Sequence, residues 1–186
     1  MNFMKIKILA AAILMISAFS VDAQRYFTRE AKIDFISDAP MEQIEAHNSS
    51  ATTVLDISNG QLEFAVLIKA FLFEKALMQE HFNENYMESD KFPKANFKGN
   101  IQNPEAVKWG VDGTYPIEVS GKMTIHGVTR DVTAPGTIVI SGGAVSASSS
   151  FAIAVADYDI EIPSVVREKI AKEVAINVNV NFQELK

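Results

Sequence analysis

Val174-Ala175-Ile176-Asn177-Val178-Asn179-Val180-Asn181-Phe182 alternates without a break. Val174, Ile176, Val178, Val180 and Phe182 fall on one side of an extended chain, and Ala175, Asn177, Asn179 and Asn181 fall on the other. Successive side chains of a strand point to opposite faces, so this segment reads as a strand with one buried face and one wet face. Half-buried strands belong to antiparallel sheets. Strands of parallel sheets are covered on both faces and read as continuous apolar runs. The period of two recurs upstream, where Leu62, Phe64, Val66 and Ile68 alternate with Glu63, Ala65, Leu67 and Lys69. Ile117, Val119, Gly121, Met123 and Ile125 alternate in the same way with Glu118, Ser120, Lys122, Thr124 and His126. Weaker versions cover Lys32–Ser37, Gln43–Asp56, Ala95–Ile101, Val132–Ile140 and Val145–Val155.

Turn residues separate these runs. Ser58-Asn59-Gly60 and Ser141-Gly142-Gly143 each lie between two apolar segments, and Asn and Gly tolerate the positive φ that tight hairpins require. His126-Gly127-Val128-Thr129 closes a third hairpin between Ile125 and Arg130. Many short strands joined by such turns predict a sandwich or a closed barrel. The long C-terminal strand would invite aggregation as a bare edge, so pairing it with the first strand by closure is the safer arrangement. The period changes twice. Glu74–Tyr86 has helical spacing, with Phe73, Leu77 and His81 along one stripe and Met78 and Phe82 beside it. Ser164–Lys172 follows Pro163 and predicts a short helix with Ser164 as its N-cap.

The N-terminal residues read as an address. Lys5 and Lys7 form a positive region, Ile8 to Phe19 is an uncharged run broken only by Ser17, and Val21-Asp22-Ala23 offers a cleavage site before Gln24. Residues 1–23 are thus expected to be a secretory signal peptide, too short in apolar length to prefer spanning a membrane. Residues 24–186 are expected to form one domain. With no cysteine after the apolar run, the bacterial lipoprotein route is closed, and the periplasm is the expected location. Removing residues 1–23 takes two lysines and one aspartate from a chain of formal charge −6, so 163 residues remain with a charge of −7. A chain of this sign without a basic run is unsuited to nucleic acid or anionic membrane surfaces. The absence of cysteine excludes thiol catalysis and thiolate metal sites.

Four separated segments carry a family resemblance. Phe35-Ile36-Ser37-Asp38-Ala39-Pro40 with Glu42 and Ile44 comes first. Glu80-His81-Phe82-Asn83-Glu84-Asn85-Tyr86-Met87-Glu88-Ser89 follows, with Lys91-Phe92-Pro93 and Ala95-Asn96-Phe97 behind it. Next is Gly121-Lys122-Met123-Thr124-Ile125-His126-Gly127-Val128-Thr129-Arg130, and last Phe151-Ala152-Ile153 with Asp157-Tyr158-Asp159-Ile160 and Pro163. In this order the segments resemble the YceI-like family of exported, polyisoprenoid-binding proteins, from about Thr28 to Phe182. The Arg25-Tyr26-Phe27-Thr28 start and the 101–112 segment are not diagnostic of it. The resemblance implies an all-β, eight-stranded, antiparallel lipocalin-like barrel with one or two short helices. It further implies an elongated apolar tunnel that holds a long-chain amphiphile, such as an isoprenoid quinone, a polyprenol or a fatty amide.

Candidate ligand-binding residues follow from both lines of reasoning. The inward sets supply Leu62, Phe64, Val66 and Ile68, then Phe97, Met123, Ile125, Phe151 and Ile153, whose apolar and aromatic side chains suit a ligand wall. Alternation alone is equally compatible with a filled core; the resemblance implies a tunnel. Phe71 to Met87 is the expected cap, closing one end with Phe71, Phe73, Leu77, Met78 and Phe82. His81, Asn83, Asn85 and Tyr86 are candidates for hydrogen bonds to a ligand head group.

Catalysis has weaker signals. His81, Glu84 and Glu88 have the spacing of helical metal ligands, yet only three histidines exist, at 47, 81 and 126, and no ligand cluster recurs. No nucleophile-elbow pattern accompanies the serines and histidines. No catalytic residue, metal or cofactor is therefore assigned, and the expected role is carriage of a long-chain lipid with transient membrane contact, as a monomer or a homodimer. Two alternatives stand beside it: a solid adaptor barrel for a membrane redox partner, and a metal-assisted hydrolase using His81 or His126.

Overall fold

The computed structural model describes residues 25–185; the expected signal peptide and its cleavage site lie outside them. The strands among the described residues are β1 (Arg25–Asp38), β2 (Gln43–Asp56), β3 (Gln61–Leu67), β4 (Leu72–Phe73), β5 (Lys94–Ile101), β6 (Gly113–Ile125), β7 (Val128–Ser141), β8 (Ala144–Ala154) and β9 (Glu173–Leu185). All pairings are antiparallel, in the order β1-β9-β8-β7-β6-β5-β3-β2, and β2 pairs back onto β1 to close the barrel. Eight strands form the wall, while β4 adds two residues to one margin of β2. The C-terminal strand β9 lies between β8 and β1, so its two edges are covered.

Turn chemistry sets the registers. The β6–β7 turn is His126-Gly127 with φ values of 50° and 78°, and the β7–β8 turn is Gly142-Gly143 with 56° and 81°. Two successive positive φ values match the right-handed twist of the flanking strands. The register then puts Ser120 opposite Thr133, Lys122 opposite Asp131 and Thr124 opposite Thr129. These outward pairs bond one another at 2.8, 2.9 and 2.8 Å, while Val119, Met123 and Ile125 turn inward from the same strand.

One end of the barrel is filled. The β2–β3, β5–β6 and β7–β8 connections meet there, and Leu55, Ile101, Val107, Ile138, Ile140 and Val145 form a buried cluster. Each such side chain contributes about 1.5–3 kcal/mol by leaving water. The Pro104–Ala106 3₁₀ turn and Trp109, stacked on Tyr26 at 6.3 Å, lie over this end. The 101–112 segment, undiagnostic in sequence, is thus the plug. At the β2–β3 turn the Ser58 hydroxyl, donating to Asp56, does most to hold that carboxyl below the ordinary range. Burial opposes the effect, and the Arg25 guanidinium, 3.0 Å away, adds to it.

Two helical expectations are corrected. The helix expected over 74–86 is an α-helix, α1, only at Ala76–His81, and continues as a π-helical turn over Phe82–Tyr86. Phe73 is drawn instead into β4, opposite Ala46, so tertiary pairing overrides the helical spacing. The Asn83 side-chain amide donates to the Gln79 carbonyl at 2.8 Å, and Met87 N–H donates to the Phe82 carbonyl at 2.9 Å, which together hold the wider turn. The helix expected over 164–172 is a single 3₁₀ turn at Ser164–Val166, and the N-cap position expected for Ser164 is taken by Pro163. Adjacent β-branched Val165 and Val166 disfavour a helix, and the segment's backbone is engaged elsewhere. Glu168 carbonyl accepts from Met41 N–H, and Ala171 N–H donates to the Ser37 hydroxyl.

Candidate functional site

Above the plug the barrel is hollow. A cavity of about 570 Å³ opens at the end where β1–β2, β3–β5, β6–β7 and β8–β9 connect. Its volume falls within the span of about 300–1,000 Å³ typical of small-molecule sites. Small residues make the room. Ala134 and Gly136 of β7 adjoin Ala147 and Ser149 of β8, with Gly136 opposite Ser149, so that this stretch of wall projects little into the lumen. On the facing strands Gly99 of β5 is opposite Gly121 of β6. A Cβ on Gly99 would stand 2.5 Å from the Phe97 ring and 2.8 Å from Gly121 Cα, so the glycine pair lets the ring lie along the wall. Phe64, Phe97 and Met123 form one row across β3, β5 and β6.

Four phenylalanines roof the cavity. Phe82 of the π-helical turn lies 5.0 Å from Phe73, 5.4 Å from Phe35 and 5.8 Å from Phe71, centroid to centroid. Phe35 also meets Phe71 at 5.7 Å and Phe73 at 5.6 Å. Each such pair is worth about 0.5–1.5 kcal/mol beyond simple burial. The cap leaves the sheet where the β2–β3 ladder stops, and Asn48 fills that gap. Its amide donates to the Leu67 carbonyl at 3.0 Å, while its own carbonyl accepts from Ser50 N–H at 2.9 Å.

Polar groups are confined mainly to the mouth. Glu42 and Lys75 pair across it at 3.2 Å, and Lys169 and His81 also border the opening. Tyr86 lines the cavity, and its hydroxyl makes no hydrogen bond among the described residues; burial pushes its pKa up. Beside the mouth, His126 ties three segments together. Its Nε2 lies 2.9 Å from Glu88 Oε2, its Nδ1 lies 3.1 Å from the Tyr158 carbonyl, and its ring meets Phe92 edge-on at 4.7 Å. The positive-φ residues other than glycine among those described are Glu88, His126 and Asp159, all at this junction. Non-glycine residues in that region carry local strain that the surrounding contacts must hold.

All the residues singled out from sequence as ligand-binding border this one cavity, from Leu62 and Phe64 on the wall to Leu77, Met78 and His81 in the cap. Of the head-group candidates, His81 and Tyr86 border it, whereas Asn83 and Asn85 are outside the lining; the Asn83 amide nitrogen is spent on the helix and its Oδ1 is buried without a hydrogen-bond partner. Of the three metal-spaced residues, Glu88 faces His126, and no group of three metal-ligating side chains occurs among the described residues. Sequence reasoning missed the 155–172 connection, whose Ile160, Ile162, Val166 and Ile170 complete the mouth. It also passed over Ala134, Gly136 and Ala147. A small residue inside a strand carries no periodic signal of its own.

A closed eight-stranded antiparallel barrel with one short helix is the lipocalin-like class of fold. The family model of the YceI-like domain matches residues 19–182, and the chain belongs to that family. No curated protein matches the sequence. Solved structures share the fold at low identity. A polyisoprenoid binding domain from Saccharophagus degradans, implicated in plant cell wall breakdown, superposes with a TM-score of 0.75 at 12% identity, over 88% of this chain and 99% of its own. BcnA of Burkholderia cenocepacia gives 0.66 at 19%, over 82% and 96%. The YceI protein of Campylobacter jejuni gives 0.51 at 17%, over 74% and 81%.

Proposed function

We propose that this protein is a non-enzymatic carrier of a long-chain amphiphile, held with its chain in the barrel and its polar end at the mouth. The observation that carries the reading is the cavity itself: closed by a packed plug at one end, roofed by a phenylalanine cluster at the other, and lined almost wholly by apolar side chains. A hollow interior favours a carrier over a solid adaptor barrel. Membership of a family with a polyisoprenoid-binding relative of the same fold supports a lipid as the cargo. Isoprenoid quinones, polyprenols and fatty amides all present an acceptor that the Tyr86 hydroxyl can meet.

Energetics favours exchange over trapping. Burying a chain from water is worth about 0.8 kcal/mol per methylene, but a bilayer already supplies nearly all of that. An apolar cavity and a few head-group contacts therefore suffice to draw cargo from a membrane and return it. The N-terminal pattern supports export, with the periplasm as the place of work. Native mass spectrometry of protein purified without detergent, followed by organic extraction, tests the reading. A discrete adduct identified as a quinone, polyprenol or fatty amide is expected. An unchanged apo mass after incubation with membrane lipids would sink it.

A further inference from the structure

The most exposed large apolar side chains among the described residues gather at the mouth. Val165 is 87% exposed, Met41 65%, Leu72 61% and Leu77 60%. They come from the 155–172 connection, the β1–β2 turn, β4 and α1. Two contacts stitch these segments together: Met41 N–H donates to the Glu168 carbonyl at 3.1 Å, and Lys75 pairs with Glu42 at 3.2 Å. The remaining exposed large hydrophobics, Val54, Leu67, Val111, Val139 and Leu185, reach only 36–54% and lie on the outer wall or at the plugged end. Exposed apolar groups scattered singly need no explanation, but a set surrounding the opening of an apolar cavity does.

We propose that this rim docks into the surface of a zwitterionic lipid bilayer, bringing the mouth into contact with the acyl region. The inference rests on the carrier reading, because it places the apolar tips around the route that a membrane-derived chain would take. Charge selects the occupant. Glu42, Glu74, Lys75, Arg167, Glu168 and Lys169 belong to the segments that carry the apolar tips, with both signs mixed. Such a pattern suits an interface where apolar tips insert while charged heads stay wet. It does not suit the charge-depleted core of a protein–protein interface. The chain carries a formal charge of −6, and at the rim Lys75, Arg167 and Lys169 are interleaved with Glu42, Glu74 and Glu168, so anionic lipid would repel it instead of recruiting it.

The chain contains no cysteine, which makes single-site labelling clean. Val165→Cys and, at the plugged end, Val111→Cys are labelled with an environment-sensitive dye and mixed with phosphatidylcholine vesicles. A blue shift at position 165 and none at 111 is expected, diminished when phosphatidylglycerol is added. No shift at 165, an equal shift at both positions, or a response that requires phosphatidylglycerol overturns the proposal. In the triple variant Met41→Ser, Leu72→Ser, Val165→Ser, none of which lines the cavity, vesicle association should fall by roughly tenfold or more. Its affinity for dansylaminoundecanoic acid in solution should stay unchanged. A concentration-dependent dimer that the triple variant abolishes would assign the rim to a second copy of the chain instead. Failure of the probe to bind while position 165 still inserts defeats the carrier reading and leaves the docking surface standing. Probe binding without insertion does the reverse.

Discussion

Replacing Ala134 by phenylalanine tests the cavity at the place where the fold has made room for it. Ala134 borders the lumen from β7 and belongs to neither buried cluster, so a ring there enters open space before it meets packed core. The substitution displaces about six methylene-sized groups of any bound chain, and at about 0.8 kcal/mol each the loss is about 5 kcal/mol. At about 1.4 kcal/mol per decade, the dissociation constant should rise by three to four orders of magnitude. Fluorescence titration with dansylaminoundecanoic acid measures this directly. The neighbouring outward residue is Thr133, and Thr133→Phe serves as the control that leaves the lumen unchanged. Thermal unfolding of both variants should stay close to that of the parent. Affinity of Ala134→Phe within threefold of the parent, in a correctly folded barrel, would refute the assignment of the lumen as the ligand site.

The glycine pair makes a second test: a Cβ on Gly121 would stand 2.4 Å from Gly99 Cα and 2.3 Å from the Lys98 carbonyl oxygen, both backbone atoms that cannot swing away. Gly121→Ala should therefore cost about 1–3 kcal/mol in chemical denaturation, and a loss below about 0.5 kcal/mol would count against the close approach. His126→Asn keeps a residue that tolerates positive φ in the turn but removes the contacts to Glu88 and Tyr158. It should lower stability by about 1–3 kcal/mol and speed probe release; slower release would show that the junction does not fasten the mouth. The Asp56 carboxyl is held below its ordinary value in the folded protein, so its contribution is present above the ordinary carboxylate range and lost as pH falls through the folded value. Asp56→Asn should accordingly be less stable than the parent near neutral pH and match it in acid, and a difference that persists at low pH would remove the charge from the explanation.

Strand alternation, turn residues and the four family-like segments make the fold class legible in the sequence. The 173–182 pattern requires one buried face, and a two-residue period admits only one such register. Asn-Gly, Gly-Gly and His-Gly marked the hairpins because their φ requirements are local, although in the first only Gly60, and not Asn59, takes a positive φ. Each wall residue expected to face inward does so for the same reason: the pleat dictates it. The failures are equally physical. Phe73 has helical spacing with Leu77 and His81, yet its backbone found a strand partner in Ala46, a competitor distant in sequence. Ser164–Lys172 has a helical start signal, yet Ser37 and Met41 engage its backbone from another segment.

By itself, the sequence determined which side chains turn inward and where the chain reverses, because these depend on local geometry and the solvent preference of each residue; the choice of a closed barrel over a sandwich came from the family resemblance. Only the tertiary structure decided that the interior is hollow. Whether inward side chains meet or leave a gap depends on which residues from distant strands share a level of the barrel. Here Ala134, Gly136, Ala147 and Ser149 come together on one stretch of wall while the large residues are spent on a plug at one end and a roof at the other. No periodicity along a chain encodes that sum.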